Sequence, residues 1–167
     1  KEDTTVEYVY VKNIGTLEES NLNKTASNLD NINNGIDYEL SYSAELTDFV
    51  GNVQTTIVDT LEFAIDKEKS DLGEGVYDEE TNTITWIIDT AIGEDNTTIT
   101  FNKTLKIYYV NINKDTITNN LNSSLTYDNM TDEQNASATS NVAKGNVVAT
   151  YTDEDGNNLA KSESSTG

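Results

Sequence analysis

The chain has 167 residues, 30 of them acidic and 10 basic, for a formal net charge of -20. That length suits one ordinary domain with a real core, or one domain plus a fragment of another, and so acidic a surface repels nucleic acid and anionic membranes. His and Cys are absent, which removes imidazole acid–base chemistry, thiol nucleophiles, disulfides and the usual zinc sites.

From the N-terminus, the first periodic run is "TVEYVYV" (5–11), which alternates in the manner of a strand. "NLNKTASNL" (21–29) puts Leu22, Lys24 and Ala26 on one face. "IDYELSYSAEL" (36–46) does the same for Ile36, Tyr38, Leu40 and Tyr42, and the strand around "TTIVDTLEF" (55–63) for Val53, Thr55, Ile57, Asp59 and Leu61. The stretch "LEFAIDKEKSDLG" has room for one helical turn at most. "NTITWIID" (82–89), "TITFNKTLKIYYVNI" (98–112) and "TITNNLNSSLTY" (116–127) return to strand alternation, rich in Thr, Val, Ile and Tyr. Turns carry Asn, Asp and Gly, as in "NINNG", "DLGEG" and "GEDN".

Many short strands and no helical spacing predict an all-β fold, an antiparallel β-sandwich. The expected organisation is an N-terminal strand or linker over 1–20, the sandwich over 21–143, and the truncated start of a further module over 144–167. From about residue 129 the composition turns polar and reads as a last strand fading into a linker; "NVVATYTDEDGNNLAKSESSTG" (146–167) then opens a hairpin. No apolar run is long enough for a membrane span, and the N-terminus lacks the basic and apolar regions of a signal peptide. The polypeptide is therefore expected to be a piece excised from something longer.

Three polar residues interrupt faces that should be apolar: Lys24, Asp59 and Asn119, the last sharing a face with Ile117 and Leu121. Two readings stand side by side. In one, Lys24 is an exposed strand-end residue, Asp59 a turn or bulge acid, and Asn119 an edge residue. In the other, all three meet in the core. Burial then lowers the Lys pKa and raises the Asp pKa, giving a neutral amine and a protonated acid. Such an amine attacks the Asn119 carbonyl, releases ammonia and leaves an intramolecular amide, with no cofactor and a single turnover.

The pieces "KTAS", "YELSYSAEL", "IVDTL", "GVYDEETNTITW" and "ITNNL" together resemble Gram-positive cell-surface adhesin and pilin-type domains of the Ig-like, collagen-adhesin A class. The resemblance covers roughly residues 20–128. It implies a spontaneous Lys–Asn isopeptide bond assisted by an acid: Lys24 from "NKTAS", Asn119 from "ITNNL", and Asp59 from "IVDTL" as the catalytic acid. One departure is Glu62, where the family often has Pro after "DTL"; at the level of sequence it bears on a turn more than on the three residues. The tail from Val147 is similar to the start of mucin-binding-protein repeats.

The resemblance implies a stalk domain, extracellular and attached to the cell wall through its parent protein, with neighbouring domains of that protein as partners. A ligand-binding adhesin domain recognising a host matrix protein or glycan is the alternative. A turnover enzyme is disfavoured, because no carboxylate pair is singled out by spacing. Cofactors and metals are not expected. "DEDGN" (153–157) has oxygen ligands at loop spacing, but no suitably placed bidentate Glu, and reads better as a β-turn. Six Asn-x-Ser/Thr sequons (Asn23, Asn96, Asn102, Asn122, Asn129 and Asn135) follow from the richness in Asn and Thr. Trp86 reads as core packing.

Overall fold

A computed structural model describes residues 2–8, 14–31 and 33–166, the side chains of 145–151 and 158–166 excepted. The described residues form ten strands and no helix. In order they are β1 (Thr16–Ala26), β2 (Ile36–Thr47), β3 (Gly51–Thr60), β4 (Val76–Asp78), β5 (Thr83–Ile92), β6 (Thr98–Ile107), β7 (Thr116–Tyr127), β8 (Met130–Asn141), β9 (Gly145–Thr152) and β10 (Asn158–Thr166). One sheet runs β1-β2-β6 and a second runs β4-β5-β3-β7-β8; β9 and β10 pair only with each other. Every strand pairing is antiparallel. The two larger sheets form an Ig-like antiparallel sandwich, the all-β architecture that the alternation predicted.

Period-2 patterning explains why these segments pair as they do. On β2, Ile36, Tyr38, Leu40, Tyr42, Ala44 and Leu46 are buried while their neighbours face out. On the opposite sheet, Ile57, Ile84, Trp86, Ile117, Leu121 and Leu125 meet them. Trp86 packs edge-on against Phe101, with ring centroids 5.6 Å apart, and its indole N–H donates to the Gly73 carbonyl at 2.9 Å. That is the packing role read from the sequence. Gly75 lies so close to this cluster that a Cβ there would stand 2.3 Å from Ile84.

Several details differ from the sequence reading. β1 begins at Thr16, which registers with Thr47. Of the run 5–11, residues 5–8 lie outside any strand, and the remainder falls outside the described residues. β8 is a full strand rather than a fading one, because β7 supplies a hydrogen-bonding partner along its whole length. The turn between them uses Asp128 and Asn129, both at positive φ (42° and 60°), as tight hairpin turns require.

Asp128 also receives the Gly15 N–H at 2.9 Å, so the chain joins the sandwich at the β7–β8 turn. At the other end Leu29 bridges Val142 in parallel, with hydrogen bonds of 2.8 Å to Asn141 and Ala143. Beyond that point, Asp153 accepts the Asp155 and Asn157 N–H groups at 3.0 and 2.8 Å, and Gly156 sits at φ 83°. The 153–157 segment is thus a hairpin turn whose first carboxylate is occupied by backbone donors. Among the described residues, no group of acidic side chains is arranged to hold a metal ion.

Candidate functional site

Lys24 lies on β1 opposite Leu40 of β2, on the face that looks into the sandwich. Its ammonium is 4.5 Å from the centroid of the Tyr38 ring, and the side chain has no exposed surface. Across the core, β3 alternation turns Asp59 inward beside Ile57, and Asp59 is also fully buried. Lys24 Nζ donates directly to Asp59 Oδ1. Asp59 Oδ2 has no hydrogen-bond partner.

Asn119 lies on β7, next to β3. Asp59 registers with Leu121, so Asn119 is two positions along on the same buried face, a diagonal neighbour. All three residues picked out by parity are therefore buried, with Lys24 and Asp59 in contact and Asn119 on the Asp59 face of the same sheet. The exposed strand-end, turn-acid and edge readings do not survive.

The Asn119 carboxamide is held at both ends. Oδ1 accepts the Glu62 backbone N–H at 3.1 Å, and Nδ2 donates to the Tyr109 hydroxyl. A backbone N–H can only donate, so oxygen must face Glu62 and nitrogen must face Tyr109. The Tyr109 hydroxyl in turn lies 2.8 Å from that of Tyr38. Ser140 of β8 is buried beside the Tyr38 hydroxyl.

Burial dominates the protonation of this cluster. It pushes the Lys24 amine below its usual range and the Asp59 carboxyl above its usual range, each only partly opposed by the charge of the other. Both shifts favour a neutral amine beside a neutral acid. Burial also raises the Tyr38 phenol to about 12 and the Tyr109 phenol further, so both stay protonated at neutral pH.

Alternation revealed Lys24, Asp59, Asn119 and, as a core residue, Tyr38. Tyr109 falls within the run 98–112, on the parity of Ile99, Phe101, Leu105 and Ile107, but nothing in the pattern singles it out from other core aromatics. β6 itself stops at Ile107, short of the end of that run, and Tyr109 follows in a loop. That loop is pinned where Val110 N–H donates to Ala64 and Asp66 N–H to Tyr108, at 2.9 and 2.8 Å. Alternation missed the Glu62 N–H, since a backbone group leaves no mark in a side-chain pattern. Glu62 therefore touches the candidate site itself, where the sequence pointed only to a turn. Its carboxylate accepts the Thr118 N–H at 2.7 Å and pairs with Lys114. Asn82 braces the same segment, donating to the Leu61 and Phe63 carbonyls at 2.8 and 2.9 Å.

Fold and site together define an all-β sandwich with a buried amine, acid and carboxamide at its centre. No protein-family model matches this chain, and no curated protein matches it closely. Among solved structures, it is similar to ACE19, the collagen-binding subdomain of the Enterococcus faecalis surface protein ACE. The identity is 14%, over 81% of this chain and 99% of that one, with a TM-score of 0.40. It is also similar to AggA, the major subunit of aggregative adherence fimbriae type I from Escherichia coli, at 14% identity over 81% of this chain and 100% of that one, with a TM-score of 0.38.

Proposed function

We propose that this chain is a structural stalk domain of a bacterial cell-surface adhesin, stabilised by an autocatalytic amide between Lys24 and Asn119 with Asp59 as the assisting acid. The observation that carries this reading is the solvent-free Lys24–Asp59 pair across the core, whose acid shares one buried sheet face with the Asn119 carboxamide. A buried ion pair is weak stabilisation for its desolvation cost, whereas a neutral amine beside an acid is reactive toward a carboxamide. The amine forms the Nζ–Cγ bond and the Cγ–Nδ2 bond breaks. Nζ gives a proton to Asp59, Asp59 gives one to Nδ2, and ammonia leaves with Asp59 restored. The reaction needs no cofactor and runs once per chain, so the domain is not an enzyme in the turnover sense.

Support also comes from the sequence resemblance to adhesin stalk domains, which implies an extracellular location, cell-wall attachment through the parent protein, and neighbouring domains as partners. Intact mass spectrometry tests the reading: the purified chain is expected to be lighter than its sequence by one ammonia, and Lys24→Ala to have its full mass. Full mass in the unsubstituted chain would refute it.

A second reading, a domain that binds a host protein or glycan, is favoured by one feature. On the flank where β4 stops, β5 beyond Trp86 and most of β6 have no further strand neighbour among the described residues. The groove between them is lined by Val76, Trp86, Ile88 and Phe101. A matrix-protein and glycan array tests it, and an array without hits leaves the stalk reading alone.

A further inference from the structure

We infer that the Glu62 backbone N–H and the Tyr109 hydroxyl form a two-point clamp that presents the Asn119 carboxamide for attack, the first on the oxygen that gains charge and the second on the nitrogen that leaves. The inference rests on the crosslinking reading above and assigns two groups that the three-residue pattern does not contain.

The geometry supplies the reasoning. When Nζ adds to Cγ, negative charge develops on Oδ1, and the donor already aimed at that atom is the Glu62 N–H at 3.1 Å. A donor fixed in a site without water is the arrangement that stabilises such an oxyanion most. Asp59 is thereby relieved of polarising the carbonyl and is free to move protons. At the other end, Nδ2 becomes a base once Cγ is tetrahedral, because its lone pair no longer conjugates with the carbonyl. The Tyr109 phenol is already on that nitrogen and can turn its O–H toward it, with no net gain or loss of a proton. A carboxamide turned by half a revolution would put its NH2 against the Glu62 N–H, donor against donor. The clamp therefore selects one orientation.

The fold keeps both points rigid. Thr118 and Lys114 hold the Glu62 side chain, Asn82 holds the carbonyls on either side of Glu62, and Tyr38 holds the Tyr109 hydroxyl. This network also gives a meaning to residue 62. A proline there would have no N–H to offer, so Glu62→Pro removes the donor on the reacting carbonyl.

The test follows crosslinking by intact mass, timed from first folding. Glu62→Pro is expected to slow ammonia loss about 100-fold, as removal of one oxyanion donor does elsewhere, and Glu62→Gln, which keeps the N–H, to lose far less. Tyr109→Phe is expected to slow it as well. In a Lys24→Met background, which cannot crosslink, the Asn119 carboxamide protons should exchange slowly with solvent. Adding Tyr109→Phe should abolish that protection without changing the backbone spectrum. A folded Glu62→Pro chain that loses ammonia at the unsubstituted rate would overturn the clamp and leave the crosslink standing. Full mass in the unsubstituted chain would instead overturn the crosslink, and the clamp with it. Should Glu62→Pro fail to fold, unchanged Tyr109→Phe kinetics and unchanged Asn119 protection decide against the clamp.

Discussion

Replacing Asn119 by alanine separates a covalently tied core from one that is merely well packed. A bond from Lys24 to Asn119 closes a loop of roughly 95 residues, and loop-closure entropy for such a crosslink stabilises the fold by about 4.7 kcal/mol. The substitution also strips partners from the Glu62 N–H and the Tyr109 hydroxyl, which costs about 1–3 kcal/mol. With the bond, the loss is then about 6–8 kcal/mol; without it, only the second part remains. At about 2.1 cal/mol/K per residue over a sandwich of about 130 residues, these losses correspond to a fall in Tm of roughly 20–30 °C with the bond and roughly 4–11 °C without it. Differential scanning calorimetry reads the difference, with intact mass measured on the same samples. A fall under about 10 °C, with no ammonia missing from the unsubstituted chain, refutes the reasoning.

Lys24→Met removes the amine whose hydrogen bond and partial charge offset some of the burial of Asp59, so the carboxyl, already raised by burial, rises further. An acid whose folded pKa lies above its unfolded value near 3.8 contributes stability below that value, lost as pH rises through the folded one. The variant is therefore expected to have a higher denaturation midpoint at pH 4 than at pH 7 in urea titrations; a flat profile would contradict the placement of Asp59. Gly75→Ala forces a methyl against Ile84 and Trp86 and should cost about 1–3 kcal/mol in the same titration. Asn82→Ala removes the braces on the Leu61 and Phe63 carbonyls; it is expected to cost about 1–3 kcal/mol and to slow ammonia loss. A normal rate in that variant would mean that the Glu62 segment holds itself.

Strands that bury one face were legible in the sequence, since β2, β3, β5, β6 and β7 each alternate apolar with polar residues. β8 was harder to read because its inward residues are small or polar, Ala138 and Ser140 among them, and its order comes from pairing with β7. The run at 5–11 has the alternation of a strand, yet residues 5–8 have none of the pairing that makes one. The same contrast governs the site. Lys24, Asp59 and Asn119 stood out because each breaks an apolar face. Tyr109 sits in a loop whose position is set by hydrogen bonds to residues 64–66, and the Glu62 contribution comes from the main chain. Periodicity puts Tyr109 on an inward parity without saying what it meets, and it says nothing of a backbone N–H.

The opposite placement of the two chain ends has a mechanical consequence. The chain joins β1 beside the β7–β8 turn and leaves β8 beside the Leu29–Val142 bridge, with β1 and β8 running in the same direction. Tension applied through the ends therefore drags β1 and β8 along their own axes in opposite senses. Ladder hydrogen bonds lie across those axes, so they are loaded together in shear instead of being peeled apart one pair at a time.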